Sequence, residues 1–236
     1  MNLSERLEHV AALCGSGTAL ADIGCDHGYL GIWLVKKGAF RNVIAMDLRS
    51  GPLAAAKSHV EEEGLSGQIE CRLSDGCDKL ARGEAEVISF AGMGGPLMIS
   101  LLERDMALIR SMKRLVLQPQ SEIPKVRQWL KDNGFRIEDE DIVFEDGKFY
   151  PMMAAVPGNW EDYGMPETAA VLFGAKLLSI RHPVLKECLI RKLAQKEEVM
   201  KELTATGEDN ERKIRRRAEV EHTVADIREA LKLYET

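Results

Sequence analysis

Residues 22–29 hold the densest set of side chains able to do chemistry: Asp22, Asp26, His27 and Tyr29, spaced by Gly24, Cys25 and Gly28. An apolar run before them, Ala19 to Ile23, reads as a buried parallel strand. Leu30, Ile32, Trp33, Leu34 and Val35 after them begin a helical apolar face. Strand, glycine-rich turn and helix let a backbone pass close beneath a nucleotide, with helix N–H groups aimed at it. A dinucleotide turn keeps glycines where the pyrophosphate approaches. Asp26 stands in this turn and would repel a phosphate, so the turn suits a nucleoside ligand that carries positive charge instead.

The spacing narrows the ligand. Asp22, Gly24 and Gly28 follow the acid-x-Gly-x-Gly-x-Gly pattern of S-adenosylmethionine (SAM) sites, with Asp26 at the middle glycine. SAM has a sulfonium cation and no phosphate, which favours it over NAD. Asp47 ends a second apolar strand, Val43 to Met46, and is placed to accept hydrogen bonds from ribose hydroxyls; Leu48 follows it. Asp75, in Ser74-Asp75-Gly76 after a third strand, Ile69 to Leu73, is placed to accept from an adenine amine. A fourth strand, Glu86 to Ala91, runs into Gly92-Met93-Gly94-Gly95-Pro96, where bare backbone lets a ligand approach. The candidate cofactor-binding set is therefore Asp22, Gly24, Cys25, Gly28, Asp47, Leu48, Asp75, Gly76, Gly92 and Met93. All four loops fall at C-terminal strand ends, where open parallel sheets bind ligands.

The elements that must position these loops follow from periodicity. Leu3, Leu7, Val10 and Cys14 mark an amphipathic lead-in helix, with Arg6 off its apolar stripe and free to meet a phosphate or carboxylate. Leu97 to Leu108 reads as a helix, and Arg114 to Gln118 as a fifth strand. Ser121 is the expected cap of a helix carrying Val126, Trp129 and Leu130. Phe135 to Phe144 and Lys148 to Val156 form a hairpin about Asp146-Gly147. By analogy this α/β pattern fits a class I SAM-methyltransferase Rossmann-like domain with a seven-stranded sheet. We place that SAM-binding domain at 1–160 and a C-terminal helical domain at 161–236.

The second domain has another texture. Val171 to Ile180 reads as a short helix broken by His182-Pro183. Leu185, Leu189, Leu193, Met200 and Leu203 then recur at heptad spacing, with Lys196 off pattern. Val220, Val224, Ile227, Leu231 and Tyr234 resume it after the polar turn at 206–210. The pattern predicts an antiparallel coiled-coil hairpin, with Leu203 near Ile214 and Leu185 near Leu231. Arg212, Lys213, Arg215, Arg216 and Arg217 crowd the start of the second helix. The run reads either as a solvated helix face or, because cations there oppose the helix dipole, as a contact with phosphates.

The net charge of −6 argues against broad nonspecific nucleic-acid binding, but residues 176–236 carry 14 Lys/Arg against 12 Asp/Glu, enough for a local basic face. No apolar run reaches the roughly 20 residues that span a bilayer, and the N-terminus does not read as a signal peptide. We expect a cytoplasmic protein with five reduced cysteines. No metal is expected, because His27 has no second His or Cys at ligand spacing.

Several longer stretches match one family pattern: Leu3-Ser4-Glu5-Arg6-Leu7, Asp22 to Leu30, Gly51-Pro52, Asp75-Gly76, Ala91 to Gly95, Leu117-Gln118-Pro119, Glu145 to Tyr150 and Phe173-Gly174. On these the chain resembles the TrmK family of bacterial tRNA (adenine-N1)-methyltransferases over nearly its full length. Asp26-His27 inside the glycine motif, with Ala91-Gly92-Met93-Gly94-Gly95, is the most specific part. The chain departs from the family where Cys25, Gly28, Gly31 and Gln120 replace the usual Ser, Ala, Pro and Asn, and where Asp47 replaces Glu.

The resemblance implies SAM-dependent methylation of N1 of adenine 22 in the D-arm of tRNA. Adenine N1 already has a lone pair, so no general base is needed and alignment supplies most of the rate. Asp26 is the candidate to accept from the N6 amine as positive charge develops on the ring. His27 and Tyr29 are candidates to orient or stack on the base. Arg6, Gln118 and the Arg212–Arg217 cluster are the candidate RNA contacts. Two other readings stay open: a SAM-dependent methyltransferase with a different substrate, and a non-catalytic SAM- or RNA-binding module. Monomer and coiled-coil-mediated dimer are both compatible with the hairpin.

Overall fold

The computed structural model describes residues 2–205 and 210–235. The chain divides into two compact units, Met1–Asp162 and Tyr163–Thr236.

The first unit runs α1 (Glu5–Cys14), β1 (Gly17–Ile23), α2 (Tyr29–Lys36), β2 (Phe40–Asp47), α3 (Ser50–Glu62), β3 (Ile69–Leu73), β4 (Val87–Gly94), α4 (Gly95–Arg104), α5 (Met106–Ile109), β5 (Arg114–Ser121), α6 (Ile123–Asp132), β6 (Phe135–Glu145) and β7 (Lys148–Pro157). The sheet has seven strands in the order β3-β2-β1-β4-β5-β7-β6. The first five pair in parallel, and β7 is antiparallel to both β5 and β6. Strand order reverses between β1 and β4, and at such a switch point diverging loops leave a crevice beyond the strand ends.

Alternation along β1 feeds two apolar layers. Ala21 and Ile23 pack with Met98 and Leu102 of α4 and with Val126 and Leu130 of α6. Leu20 packs with Val10 of α1, Leu30 and Leu34 of α2, and Val60 of α3. Each of the Leu, Ile, Val and Met side chains among these contributes roughly 1.5–3 kcal/mol by leaving water. Because both faces are covered, the central strands are continuously apolar. A buried ion pair, Arg127 Nε to Glu140 Oε1 at 2.7 Å, joins α6 to β6.

Three local expectations change. The helix expected over Leu97–Leu108 is two helices, because Asp105 breaks it and its carboxylate accepts from the Leu108 N–H at 2.9 Å. Ser121 is the last residue of β5, not a helix cap; Glu122, with φ +52, turns the chain into α6. The glycine stretch after Ala91 is not all loop, since β4 continues to Gly94 with its register against β5 shifting at Met93 and Gly94. Asp146 and Gly147 both take positive φ, the backbone a two-residue hairpin turn requires.

The second unit runs α7 (Glu167–Ala169), a π-helical turn (Ala170–Gly174), α8 (Ala175–Ser179), α9 (Pro183–Ala205) and α10 (Glu211–Lys232). Gly174, at φ +97, divides the segment expected as one helix. The Tyr234 hydroxyl donates to the His182 carbonyl at 3.2 Å and Lys186 lies over the Tyr234 ring, so the start of α9 meets the end of α10 and the helices are antiparallel. Leu185, Cys188 and Leu189 face inward from α9, and Val220, Ile227 and Ala230 from α10. Ile214 is 53% exposed, so the apolar seam does not close over it as the heptad pattern predicts. The polar turn at 206–209 lies outside the described residues. Among the described residues no helix is long and apolar enough to cross a membrane.

Candidate functional site

A cavity of about 630 Å³ opens at the C-terminal ends of β1 to β4. Its floor is the loop after β1. The Gly24 and Cys25 N–H groups both donate to the Met46 carbonyl, at 2.8 and 2.9 Å, and the Gly28 N–H donates to the Cys25 carbonyl at 2.8 Å. Gly24, Asp26 and Gly28 take φ of +72°, +50° and +74°. Aspartate tolerates this backbone better than most residues, and only a little strain is stored at Asp26.

Asp47 holds the turn from below. Its Oδ2 accepts from the Asp26 N–H at 3.1 Å and its Oδ1 from the Arg49 N–H at 2.8 Å. One buried carboxylate thus fixes both loops and still faces the cavity. The Asp26 carboxylate projects outward, 3.7 Å from the Arg49 guanidinium and 3.8 Å from His27 Nε2. The His27 and Tyr29 rings stack beside it with centroids 5.6 Å apart.

Asp22 lines the same cavity but is buried. Burial pushes its carboxyl up to about 7; the Ser89 hydroxyl opposes the rise and the nearby Asp47 charge adds to it. A cation entering the cavity would favour the ionised form. Burial also pushes the Cys25 thiol up, with Asp22 adding to the effect, so Cys25 stays protonated and is no nucleophile.

On the far wall, Arg104 donates to Asp75 Oδ2 at 2.8 Å and aims that carboxylate. Gly76 takes φ +59, a backbone that favours glycine, and a Cβ there would have to displace the tip of the Leu101 side chain, 2.7 Å away. Gly92 and Met93 form the roof from the end of β4. Arg6 reaches in from α1, its guanidinium donating to Gln118 Oε1 at 2.8 Å and lying 5.7 Å over the Tyr150 ring.

Twelve of the expected residues of this unit line the cavity together with Arg6: Asp22, Gly24, Cys25, Asp26, His27, Tyr29, Asp47, Leu48, Asp75, Gly76, Gly92 and Met93. Two do not. Gly28 is buried beneath the loop and caps α2 in the left-handed conformation. Gln118 is wholly buried, and its carbonyl oxygen accepts from Arg6 and from the Gly92 N–H at 3.1 Å. It braces the wall and is too deep to touch RNA, which corrects the expectation. The second unit carries the basic cluster at the start of α10, where the Asn210 side chain caps the Lys213 N–H at 2.9 Å. Arg212, Arg215 and Arg216 are exposed there.

Sequence reasoning missed Arg49, Ser74, Leu97 and Gln120 in the wall. Arg49 and Ser74 each adjoin a residue that was found, and Gln120 follows Pro119 at the end of β5, so position in a strand-end loop was the available signal. Among the described residues no group of three or more His, Cys, Asp or Glu side chains could hold a metal ion.

The set of acceptors suits a cationic nucleoside. Asp47 and Asp75 offer acceptors to hydroxyls and an amine, Asp22 offers charge, and Leu48, Leu97 and Leu101 offer apolar surface. Comparison with known proteins agrees. A methyltransferase-domain family model matches residues 3–153. The tRNA (adenine(22)-N(1))-methyltransferase of Bacillus subtilis is 32% identical over 93% of this chain and 94% of its own length. The solved structure of the B. subtilis m1A22 tRNA methyltransferase TrmK superposes with a TM-score of 0.89 at 30% identity, covering 98% of this chain and 99% of that one. Streptococcus pneumoniae Sp1610 in complex with S-adenosyl-L-methionine gives 0.86 at 32% identity, covering 98% and 100%. Similarity that spans both units, and not the methyltransferase unit alone, shows that the chain belongs to the TrmK family of tRNA (adenine(22)-N(1))-methyltransferases.

Proposed function

We propose that this protein methylates N1 of adenine 22 in tRNA with SAM as methyl donor. The observation that carries the proposal is the match to the B. subtilis enzyme over 93% of the chain, which extends beyond the methyltransferase domain into the helical unit. The cavity chemistry supports SAM independently, because its acids are disposed for a nucleoside and one of them is left to be ionised by a cation.

Bound SAM supplies an electrophilic methyl group on a cationic sulfur. Asp47 would hold the ribose hydroxyls and Asp75 the adenine amine, with Gly24, Cys25, Leu48, Gly76, Gly92 and Met93 lining the rest of the cofactor's site. Gly28 gives the loop its shape. Asp26, His27 and Tyr29 face the target adenine. The Asp26 carboxylate accepts from the N6 amine and is most effective as positive charge builds on the ring. No side chain needs to remove a proton before attack, since N1 presents a lone pair, so the site's task is alignment. Arg6 also lines the cavity, and its guanidinium is the candidate contact to the substrate RNA there. Freeing the adenine from its stack costs a few kcal/mol. Phosphate contacts from Arg212, Lys213, Arg215, Arg216 and Arg217 help offset it. With tRNA as substrate, the reaction belongs to the cytoplasm.

Transfer of labelled methyl from SAM to an unmodified tRNA transcript with A22, beside the same transcript with G22, tests this. Label in the first alone is the expected result. Label in both moves the target to another nucleotide, and label in neither removes tRNA as substrate.

A further inference from the structure

His59 lies outside the cavity wall, yet three contacts tie it to the loop that carries the reactive side chains. It sits on α3, one turn beyond Ala56. A Cβ on Gly28 would come within 3.1 Å of the Ala56 Cβ, so small residues at both positions let α3 press against the loop. The next turn of the helix then brings His59 alongside. Its Nδ1 is 3.0 Å from the His27 carbonyl oxygen. A carbonyl only accepts, so Nδ1 carries the proton and donates. The His59 ring stacks on Tyr29, with centroids 5.0 Å apart and planes 22° from parallel, and its centroid is 5.9 Å from that of His27.

We propose that His59 is a positioning residue for methyl transfer: by holding the His27 carbonyl it fixes the His27–Tyr29 segment and so aims the side chains that receive the base. The proposal rests on the function given above. The physical need is local. Gly28 lies within this segment at positive φ, and glycine has more alternative conformations than any other residue. The Gly28 N–H of the His27–Gly28 peptide already donates to the Cys25 carbonyl; the hydrogen bond from His59 to the His27 carbonyl anchors the other side of the same peptide. Misplacement of about 1 Å is enough to cost on the order of 100-fold in rate. His59 itself touches no cavity surface, and Gly24 and Cys25 are held by the Met46 carbonyl independently of it, so its loss should act on turnover more than on cofactor affinity.

Three variants separate the parts of the contact. His59→Ala removes donor and ring, His59→Asn puts an amide N–H where Nδ1 stood, and His59→Phe keeps the ring without a donor. The measurements are kcat and KM on tRNA, SAM Kd by calorimetry, and amide spectra of Gly28 and Tyr29. For His59→Ala we expect kcat to fall about tenfold with SAM Kd within about twofold, and the two loop amides to broaden. His59→Asn should restore kcat to within about threefold and sharpen the amides, while His59→Phe stays low. If His59→Ala does not fold, the Phe and Asn pair gives the same contrast. Wild-type kcat in both His59→Ala and His59→Phe, or equal recovery by Phe and Asn, would overturn the proposal. Unperturbed loop amides in His59→Phe would overturn it as well. That last readout stands even if the wild-type protein fails to methylate A22, which would refute the function and not the role of His59.

Discussion

Binding of SAM should expel a proton from Asp22. The carboxyl is buried, and burial raises it to about 7, so at pH 6 about nine-tenths of ligand-free molecules carry the proton. A cation arriving in the cavity stabilises the carboxylate. If the group falls by about two units on binding, roughly 0.8 proton leaves at pH 6 and almost none at pH 8. The same linkage makes SAM binding about tenfold tighter at pH 8 than at pH 6. Titration calorimetry in two buffers of different ionisation enthalpy counts the proton directly. Asp22→Asn serves as the control, because it removes this proton and leaves any released by the ligand's own amine. The neutral thioether product should release less than SAM. Stability carries the opposite sign. The native state holds the Asp22 proton between pH 4 and 7 while the unfolded chain has lost it, so ligand-free stability falls as pH rises through that window. Asp22→Asn should flatten this fall, whose ceiling is about 4 kcal/mol. Release below about 0.2 proton at pH 6, or equal release by Asp22→Asn, would refute the reasoning.

Other outcomes follow from the same geometry. Asp26→Asn keeps a residue suited to positive φ but removes the charge, and single-turnover methyl transfer should slow about 10–100-fold with SAM Kd nearly unchanged; unchanged turnover would take Asp26 out of the chemistry. Replacing Arg215, Arg216 and Arg217 together with Gln should weaken tRNA binding and lower the slope of log K against log salt by about 2–3, as measured by filter binding; an unchanged slope would make the cluster an ordinary solvated face. Glu140→Ala leaves Arg127 buried beside an empty acceptor site and should cost about 3–5 kcal/mol in urea denaturation, whereas a loss below about 1 kcal/mol would mean water or rearrangement satisfies the guanidinium.

Much of the site was legible because its chemistry is local. Asp22, Gly24 and Gly28 announce a turn through spacing alone, and Asp47 and Asp75 stand at the ends of apolar runs that could only be buried strands. Their convergence follows from parallel topology, which puts all those ends on one edge. What stayed hidden depends on contacts between distant residues. Nothing near Gln118 signals that its amide would be buried under Arg6 and Gly92, 112 and 26 residues away in sequence. His59 has no neighbour in sequence that marks it, and only the close approach of Ala56 to Gly28 brings it to the loop. The break at Asp105 was missed because the apolar rhythm runs through it, while the side chain's preference for capping overrides that rhythm. Ile214 fits the heptad count but not the burial, since periodicity specifies a face and not whether a partner covers it.

The central claim is a methyl on N1, the pairing edge of adenine 22. A methyl there blocks reverse transcription, and warm alkali moves it to N6, where it no longer blocks. Primer extension on tRNA treated with the protein and SAM, before and after alkali, therefore reads position and atom together. Methylation at N1 of A22 gives a stop one nucleotide 3′ of A22 that disappears after alkali. Methyl incorporation without any stop, or a stop at a different adenine, would contradict it.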